Sequence, residues 1–376
     1  MEREPLDILR VTASVYPEQT GGMALHVDHM SRVQAELGHN VTVLTSDNGD
    51  RSLPRTEERN GYSIRRCKEF VSPLDNTIAP EFVRALDEHA PEYDIVHAHS
   101  HLFFVSNVAA LLNRVRDYPF VVTNHGLVSQ TAPRWMQKVL LPILTRGTFN
   151  VADRVFCYTE TERDELRGRG IKAPVSVIQN GIDCTRFEPG ERTPTDKQIL
   201  FVGRLTNGKG VTYLLDAFAS LQNSHPETSL KIVGDGPLRE DLAQRVAEKG
   251  IGSSVEFTGM VPNTEMPRIY NESTVFVLPS LSEGVPRTML EAMACGVPVV
   301  TTELSQIVSI VDGAGFTVPR RSSDTICDRL QTLLDNPEQR REFARIGRAK
   351  VEDQFSWQDT VEQTTECYYQ VLEQFE

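Results

Sequence analysis

VFVLPSLSEGVPRTMLEAMACGVPVVTT, residues 275–302, holds the pattern from which the fold of this chain can be read. An apolar run ends at Ser280. A loop with Glu283, Gly284, Val285 and Pro286 follows, then a helical stretch bearing Glu291, then Gly296, Pro298 and a second apolar run. Two nearly continuous apolar strands joined by a helix make a βαβ unit, with parallel strands buried on both faces. Pro286 fits the first turn of the helix, where a missing N–H costs nothing. The free amides of Gly284 to Arg287 would then point outward as an anion site. Glu283 lies just before the helix and Glu291 in its early turns, where a carboxylate can accept hydrogen bonds from the vicinal hydroxyls of a sugar or ribose.

The same alternation runs through the chain. ILRVT, NVTVLTS, SIRRC, DIVHAHS, FVVTNHG, RVFCYT and VSVIQNG read as strands in the first half, and QILFVG, LKIVGDG, VEFTG, VFVLPS and PVVTT in the second. Between them lie segments at helical spacing, such as MALHVDHMSRVQAELG and GVTYLLDAFASLQNS. Such alternation implies parallel sheets with helices on both faces. FEPGERTPTDKQ, residues 187–198, interrupts it with Pro and Gly and reads as a linker. The expected organisation is two Rossmann-like domains, residues 1–188 and 196–355, and a final helix over 356–376. Open parallel sheets bind ligands outside the carboxyl ends of their strands. Two such domains facing each other would place the site in a cleft, lined by the loops that follow strands.

Composition narrows the function classes. The 376 residues are 39% hydrophobic and 24% charged, with a net charge of -13. An acidic surface argues against nucleic acid as the main partner. Cys67, Cys157, Cys184, Cys295, Cys327 and Cys367 are scattered with no CxxC pair, which argues against a zinc site or a disulfide framework. Free thiols in a reducing cytosol are expected. MEREPLDILRV lacks the apolar core of a signal peptide, and no apolar run reaches the length of a membrane span. A cytoplasmic protein is expected, with peripheral contact at the inner face of a membrane left open.

Four further motifs follow strands. In FVGRLTNGKGVT, residues 201–212, Gly203, Gly208 and Lys209 approach a P-loop, but Gly210 stands where the Ser or Thr hydroxyl would hold Mg²⁺. Arg204 and Lys209 in that loop can instead neutralise a diphosphate. In YPEQTGGMALHV, residues 16–27, Gly21 and Gly22 allow either a tight turn or the close approach of a ligand to a helix N-terminus. His97 and His99 share one face of a strand end, followed by His101; with no carboxylate or thiol nearby, core or cleft-lining roles are favoured over metal. His125 falls just past FVVT, where a cleft residue belongs, and Gly126 lets the chain turn away.

Taken together, these residues resemble the retaining glycosyltransferases of family four, which have the GT-B fold. EGVPRTMLE matches that family's Glu-x7-Glu motif with Glu283 and Glu291, and GRLTNGKG its Gly-Arg-Leu-x-x-x-Lys-Gly loop. Asn180 to Asp183, GDGP at 234–237 and FTGMV at 257–261 follow in the family's order. The resemblance implies that Arg204 and Lys209 grip the donor diphosphate, helped by amides of Gly284, Val285 and Pro286. It implies Glu291 on the nucleotide ribose, Glu283 on the donor sugar's hydroxyls and His125 beside that sugar. Gly21 and Gly22 would approach the diphosphate or the acceptor, Gly203 and Asp235 would join the donor-binding set, and backbone at Met260 and Val261 would touch the base. A UDP- or GDP-linked sugar donor, a glycan, lipid-linked or small-molecule acceptor, and no essential metal or other cofactor are further implications. The resemblance also implies that the final helix crosses back onto the first domain. ELSQIVSIVDGAGF, after VPVVTT, departs from the family's usual Gly-Gly-x-x-Glu turn.

Three other readings compete. A GT-B sugar-nucleotide epimerase would turn over without an acceptor, a non-catalytic subunit would only bind the nucleotide-sugar, and a P-loop hydrolase would need Mg²⁺. RWMQKVLLPILTRGTF, residues 134–149, reads either as an internal helix of the first domain, the preferred reading, or as a surface lying on a membrane beside a lipid-linked acceptor.

Overall fold

The computed structural model describes residues 4–19, 21–127, 132–190 and 197–375. The chain divides into two compact units, Met1–Asn180 with Trp357–Glu376, and Gly181–Ser356.

The first unit is built on eight strands: β1 (Asp7–Val11), β2 (Asn40–Ser46), β3 (Thr56–Arg59), β4 (Tyr62–Cys67), β5 (Ile95–His99), β6 (Phe120–Thr123), β7 (Arg154–Cys157) and β8 (Val175–Val177). Their order is β3-β4-β2-β1-β5-β6-β7-β8, parallel throughout except for the antiparallel β3/β4 edge. Ile8, Leu9 and Val11 of β1 are buried, as expected of a central strand covered on both faces. Arg10 is buried beside them. Its guanidinium donates to Ser31 Oγ (2.7 Å), Gln34 Oε1 (2.6 Å) and Tyr368 Oη (3.3 Å).

Tyr368 belongs to the last helix, Trp357–Leu372. Trp357, Val361, Tyr368 and Val371 recur at helical spacing and are buried. Tyr368 and Val371 share a core with Ile8, Val27, Val43, Ile95 and Phe156, and Gln34 Nε2 donates to Thr365 Oγ1 at 2.9 Å. A segment remote in sequence thus completes one face of the first sheet.

The second unit holds β9 (Gln198–Val202), β10 (Ser229–Val233), β11 (Val255–Gly259), β12 (Val275–Leu278), β13 (Val299–Thr302) and β14 (Gly315–Val318), all parallel, in the order β11-β10-β9-β12-β13-β14. Chain order reverses between β9 and β12 here, and between β1 and β5 in the first sheet. At such switch points the loops leaving adjacent strands diverge to opposite faces and open a crevice.

Two expectations shift. Residues 181–188, read as the end of the first domain, pack with the second unit: Ile182 and Phe187 enter its core, Ile182 N–H donates to Phe355 O (2.7 Å), and Arg348 reaches Cys184 O (3.0 Å). Residues 191–196 of the expected linker lie outside the described residues. Two strands, TEER in β3 and GFTV in β14, had no apolar run to announce them. β3 is a charged edge strand whose Glu57, with Glu18, holds Arg59 and Arg66 in ion pairs.

Tyr368→Phe tests the docking of the last helix. It removes the hydroxyl that bonds buried His97 Nδ1 at 2.5 Å and Arg10. Leaving those groups unpartnered costs about 1–3 kcal/mol. In urea, the unfolding midpoint of the first unit is expected to drop with its slope unchanged; an unmoved midpoint would mean that apolar packing alone docks the helix.

Candidate active site

In the second unit the site is assembled by three loops that touch through bare backbone. β9 leads into residues 203–210. Leu205 N–H donates to Asp235 O (2.9 Å) in the loop after β10, and Gly203 N–H to Val233 O (3.0 Å). At Gly234, φ is +127°, and an added Cβ would stand 2.1 Å from Gly203 O. Only glycine allows that approach. Gly210 is equally constrained: φ is +64°, and a Cβ would meet Pro279 O at 2.1 Å. The Ser or Thr of a P-loop does not fit there, which removes the hydrolase reading's Mg²⁺ ligand.

Leu281 N–H donates to Gly208 O at 2.8 Å, joining the loop after β12 to the loop after β9. This bond brings Lys209 Nζ onto Glu283 Oε1. Ser280 Oγ donates to the same oxygen at 2.6 Å, and Gln306 Nε2 donates to the Glu283 backbone carbonyl. The pair is largely shielded, with side chains 23% and 13% exposed. Arg204 is exposed and makes no ion pair among the described residues. Asp235 is exposed, its Oδ1 accepting from Gly236 N–H (2.7 Å). Met260 is exposed and Val261 half-buried.

Pro286 stands as the residue that caps the helix Arg287–Ala294 rather than within its first turn. Gly284 is exposed, Val285 half-buried and Pro286 buried. Glu291 is placed differently from a carboxylate awaiting hydroxyls. It is buried, with Oε2 accepting from Tyr270 Oη (2.9 Å) and Oε1 from Arg287 Nε (3.0 Å). Burial, with the Glu291 charge beside it, pushes the Tyr270 phenol well above its ordinary range. Each Glu291 oxygen keeps a lone pair, so further donors can still be accepted.

In the first unit, Gly21 is extended (φ 165°) and Gly22 opens the helix Gly22–Glu36. A Cβ at either would meet no heavy atom within 4 Å. The chain's own packing therefore does not demand glycine at these two positions. His125 Nδ1 bonds Tyr158 Oη (2.9 Å) and its Nε2 bonds His99 Nδ1 (3.0 Å). His99 stacks on His97 with centroids 4.3 Å apart, and both His97 nitrogens are used by Tyr368 and Thr123. His97 is thus a core residue.

The sequence singled out His99 and His125 in separate motifs; the structure brings them together with His26. His26 Nδ1 bonds Asn180 Oδ1 at 3.0 Å, and one ring nitrogen each from His26, His99 and His125 lie within 4.8 Å of one another. No Cys, Asp or Glu joins this group among the described residues, and its mapped nitrogens already bond Asn180, Tyr158 and each other. Sequence reasoning passed over Tyr158, although it follows β7 as His125 follows β6, and over His26, four residues into a helix. It also missed Gln306 and Tyr270, for which no local pattern gave a signal.

Known proteins agree with this architecture. Residues 20–186 match the family Glycosyltransferase Family 4, and residues 185–350 match Glycosyl transferases group 1. The chain is 26% identical to glycogen synthase of Mycobacterium tuberculosis, over 96% of this chain and 94% of that one. It is 27% identical to D-inositol 3-phosphate glycosyltransferase 1 of Catenulispora acidiphila, over 94% and 91%. Among solved structures, sucrose-phosphate synthase of Thermosynechococcus elongatus superposes with a TM-score of 0.82 at 22% identity, covering 98% and 99% of the two chains. Anabaena HepE in complex with UDP-glucose superposes at 0.80 with 20% identity, covering 97% and 100%. The fold is GT-B, as the sequence implied.

The buried histidines make stability depend on pH. Burial lowers the pKa values of His97, His99, His101 and His125, the last two to about 3. In the unfolded chain they titrate near 6.5. Below that pH the unfolded chain binds protons that the folded chain refuses, so stability is full above about 6.5 and falls with pH down to about 3. Each histidine contributes at most about 1.4 kcal/mol per pH unit. Urea unfolding between pH 7 and 5 should show a steep decline that His101→Phe makes shallower; an unchanged slope would mean that His101 is charged in the folded protein.

Proposed function

For a chain that is a glycosyltransferase of the GT-B fold, we propose transfer of a hexosyl unit from a UDP- or GDP-linked sugar to an acceptor hydroxyl, with retention at the anomeric carbon and without an essential metal. The observation that carries this reading is the meeting of Lys209, Ser280 and Glu283 at the β9/β12 switch point, with Arg204 of the same loop in no ion pair among the described residues. An ammonium group has three N–H donors. With one on Glu283, two are available for diphosphate oxygens, and Arg204 offers a planar fork beside it. The amides at the start of Arg287–Ala294 add a third source of positive potential.

The bond that breaks joins the anomeric carbon to the leaving diphosphate oxygen; the bond that forms joins that carbon to the acceptor oxygen. Negative charge gathers on the diphosphate, where Lys209 and Arg204 stabilise it. The acceptor's proton passes to a leaving phosphate oxygen on the same face, which accounts for retention without a second carboxylate. Glu283 holds donor-sugar hydroxyls, and Ser280 and Gln306 fix its position. Glu291, set by Tyr270 and Arg287, accepts from the ribose. Neutral His125, its two ring nitrogens taken by Tyr158 and His99, lies beside the sugar without adding charge. Gly21 and Gly22 leave room for the diphosphate or acceptor, and Gly203, Asp235, Met260 and Val261 frame the nucleotide. UDP is the first donor to test, since HepE has been solved with UDP-glucose. The acceptor is a glycan, a lipid-linked molecule or a small molecule, and the place of action is the cytoplasm.

Thermal-shift titration with UDP, GDP, ADP and Mg-ATP, each with and without EDTA, tests the donor. Stabilisation by UDP or GDP that survives EDTA is expected; stabilisation by Mg-ATP alone would sink the reading. With the matching sugar donor, Lys209→Ala should fold normally and lose about 100-fold or more in turnover. Full turnover would remove Lys209 from the mechanism.

A further inference from the structure

The helix Arg134–Phe149 is not internal. Its inner side buries Leu141, Thr145, Thr148 and Phe149. Its outer side exposes Trp135 (65%), Val139 (61%) and Ile143 (65%), an i, i+4, i+8 ridge. The helix Phe104–Arg116 lies beside it: Thr148 Oγ1 donates to Asn107 Oδ1 (2.7 Å), and Arg114 reaches Gly147 O (3.5 Å). That helix exposes Leu111 (64%) and Val115 (79%), again four residues apart. Both helices are therefore apolar outside as well as inside, which solvent alone does not favour.

Their charges are equally selective. The chain has 52 Asp and Glu, yet neither helix contains one. Elsewhere, Arg residues on helices meet acids one turn away, as in Arg32–Glu36, Arg84–Glu88, Arg169–Glu165 and Arg268–Glu272. Arg116, at the end of Phe104–Arg116, pairs with Asp87 (2.7 Å), but Arg114, Lys138 and Arg146 form no ion pair with a carboxylate among the described residues; Arg114 and Arg146 reach only backbone carbonyls, of Gly147 and Arg169. No helix here is long and apolar enough to cross a membrane.

We propose that the outer sides of Phe104–Arg116 and Arg134–Phe149 dock the protein on an anionic lipid surface. Trp135, Val139 and Ile143 enter the headgroup boundary, and Arg114, Lys138 and Arg146 meet lipid phosphates. A second copy of the same face would set unpaired cations against cations, so charge selects the lipid surface over self-association. Docking rests on these two helices alone. Its consequence, that the acceptor hydroxyl belongs to a lipid-anchored molecule, rests also on the transferase reading.

The test is flotation of the full chain with vesicles of phosphatidylcholine, alone or mixed with phosphatidylglycerol. The protein is expected to float with the mixed vesicles only and to be released by high salt. The Trp135→Glu/Ile143→Glu variant should lose about ten-fold or more of its bound fraction, and Lys138→Glu a smaller part. UDP-induced thermal stabilisation of both variants should equal that of the parent, which shows that they are folded and separates failure of docking from failure of the donor site. No flotation of the parent protein, or equal flotation of the double variant, would overturn the proposal. So would a concentration-dependent dimer that the double variant abolishes.

Discussion

The second unit depends on contact between bare backbones. Three loops leave neighbouring strands and must pass within hydrogen-bonding distance of one another. Gly234 against Gly203 and Gly210 against Pro279 leave no room for a Cβ, and both positive-φ glycines supply turns that other residues resist. Once the loops are pressed together, Gly208 O can accept from Leu281 N–H. The Lys209–Glu283 pair follows from that bond rather than creating it. A salt bridge with some exposure contributes little to folding. Its importance lies in holding a cation and a carboxylate in fixed positions at a strand switch point.

That hierarchy explains which parts of the site were legible in the sequence. The parallel sheets were, because a strand buried on both faces reads as a largely apolar run, and β6, β9 and β12 do, as do β1 and β5 apart from Arg10, His97 and His99. Lys209, Glu283 and His125 were each legible by position, directly after such runs. Their partners were not. Lys209 and Glu283 are 74 residues apart, and nothing local announces that a backbone bond brings them together. Glu291 looked like an open ligand for hydroxyls because Tyr270, which holds it inward, lies in a short helix with no polar pattern. The break between units was misplaced for a similar reason: Ile182 and Phe187 are apolar residues in a polar context, and only the core they enter reveals which unit owns them.

The first unit uses burial differently. Arg10 and four histidines sit in its interior or at the carboxyl edge of its sheet. Burying Arg10 is tolerable because Ser31, Gln34 and Tyr368 replace its water. The histidines are tolerable because they remain neutral. A neutral imidazole has one donor and one acceptor nitrogen, and Tyr158 and His99 between them use both of those on His125. The Tyr158–His125–His99 chain fixes the His125 ring in place without introducing charge. A charged His125 would be costly because burial removes the water that would solvate it.

Net charge misleads about local partners. A total of -13 argues against a polyanion as the main partner, yet screening confines each charge's influence to about 8–10 Å. Lys138 and Arg146 sit on a helix that contains no acid, and Arg114 on one whose ion pair among the described residues joins Arg116 to Asp87. Arg204, in the loop after β9, likewise makes no ion pair among the described residues. In both places some cations stand clear of the chain's abundant carboxylates, whereas Arg32, Arg84, Arg268 and Arg348 on other helices each pair with an acid one turn away. A cation held apart in this way retains its full attraction for an external phosphate. At Arg204 the glycine-bound loop architecture suits a diphosphate; at the two helices the surrounding Trp, Val, Ile and Leu suit phosphates that lie above hydrocarbon.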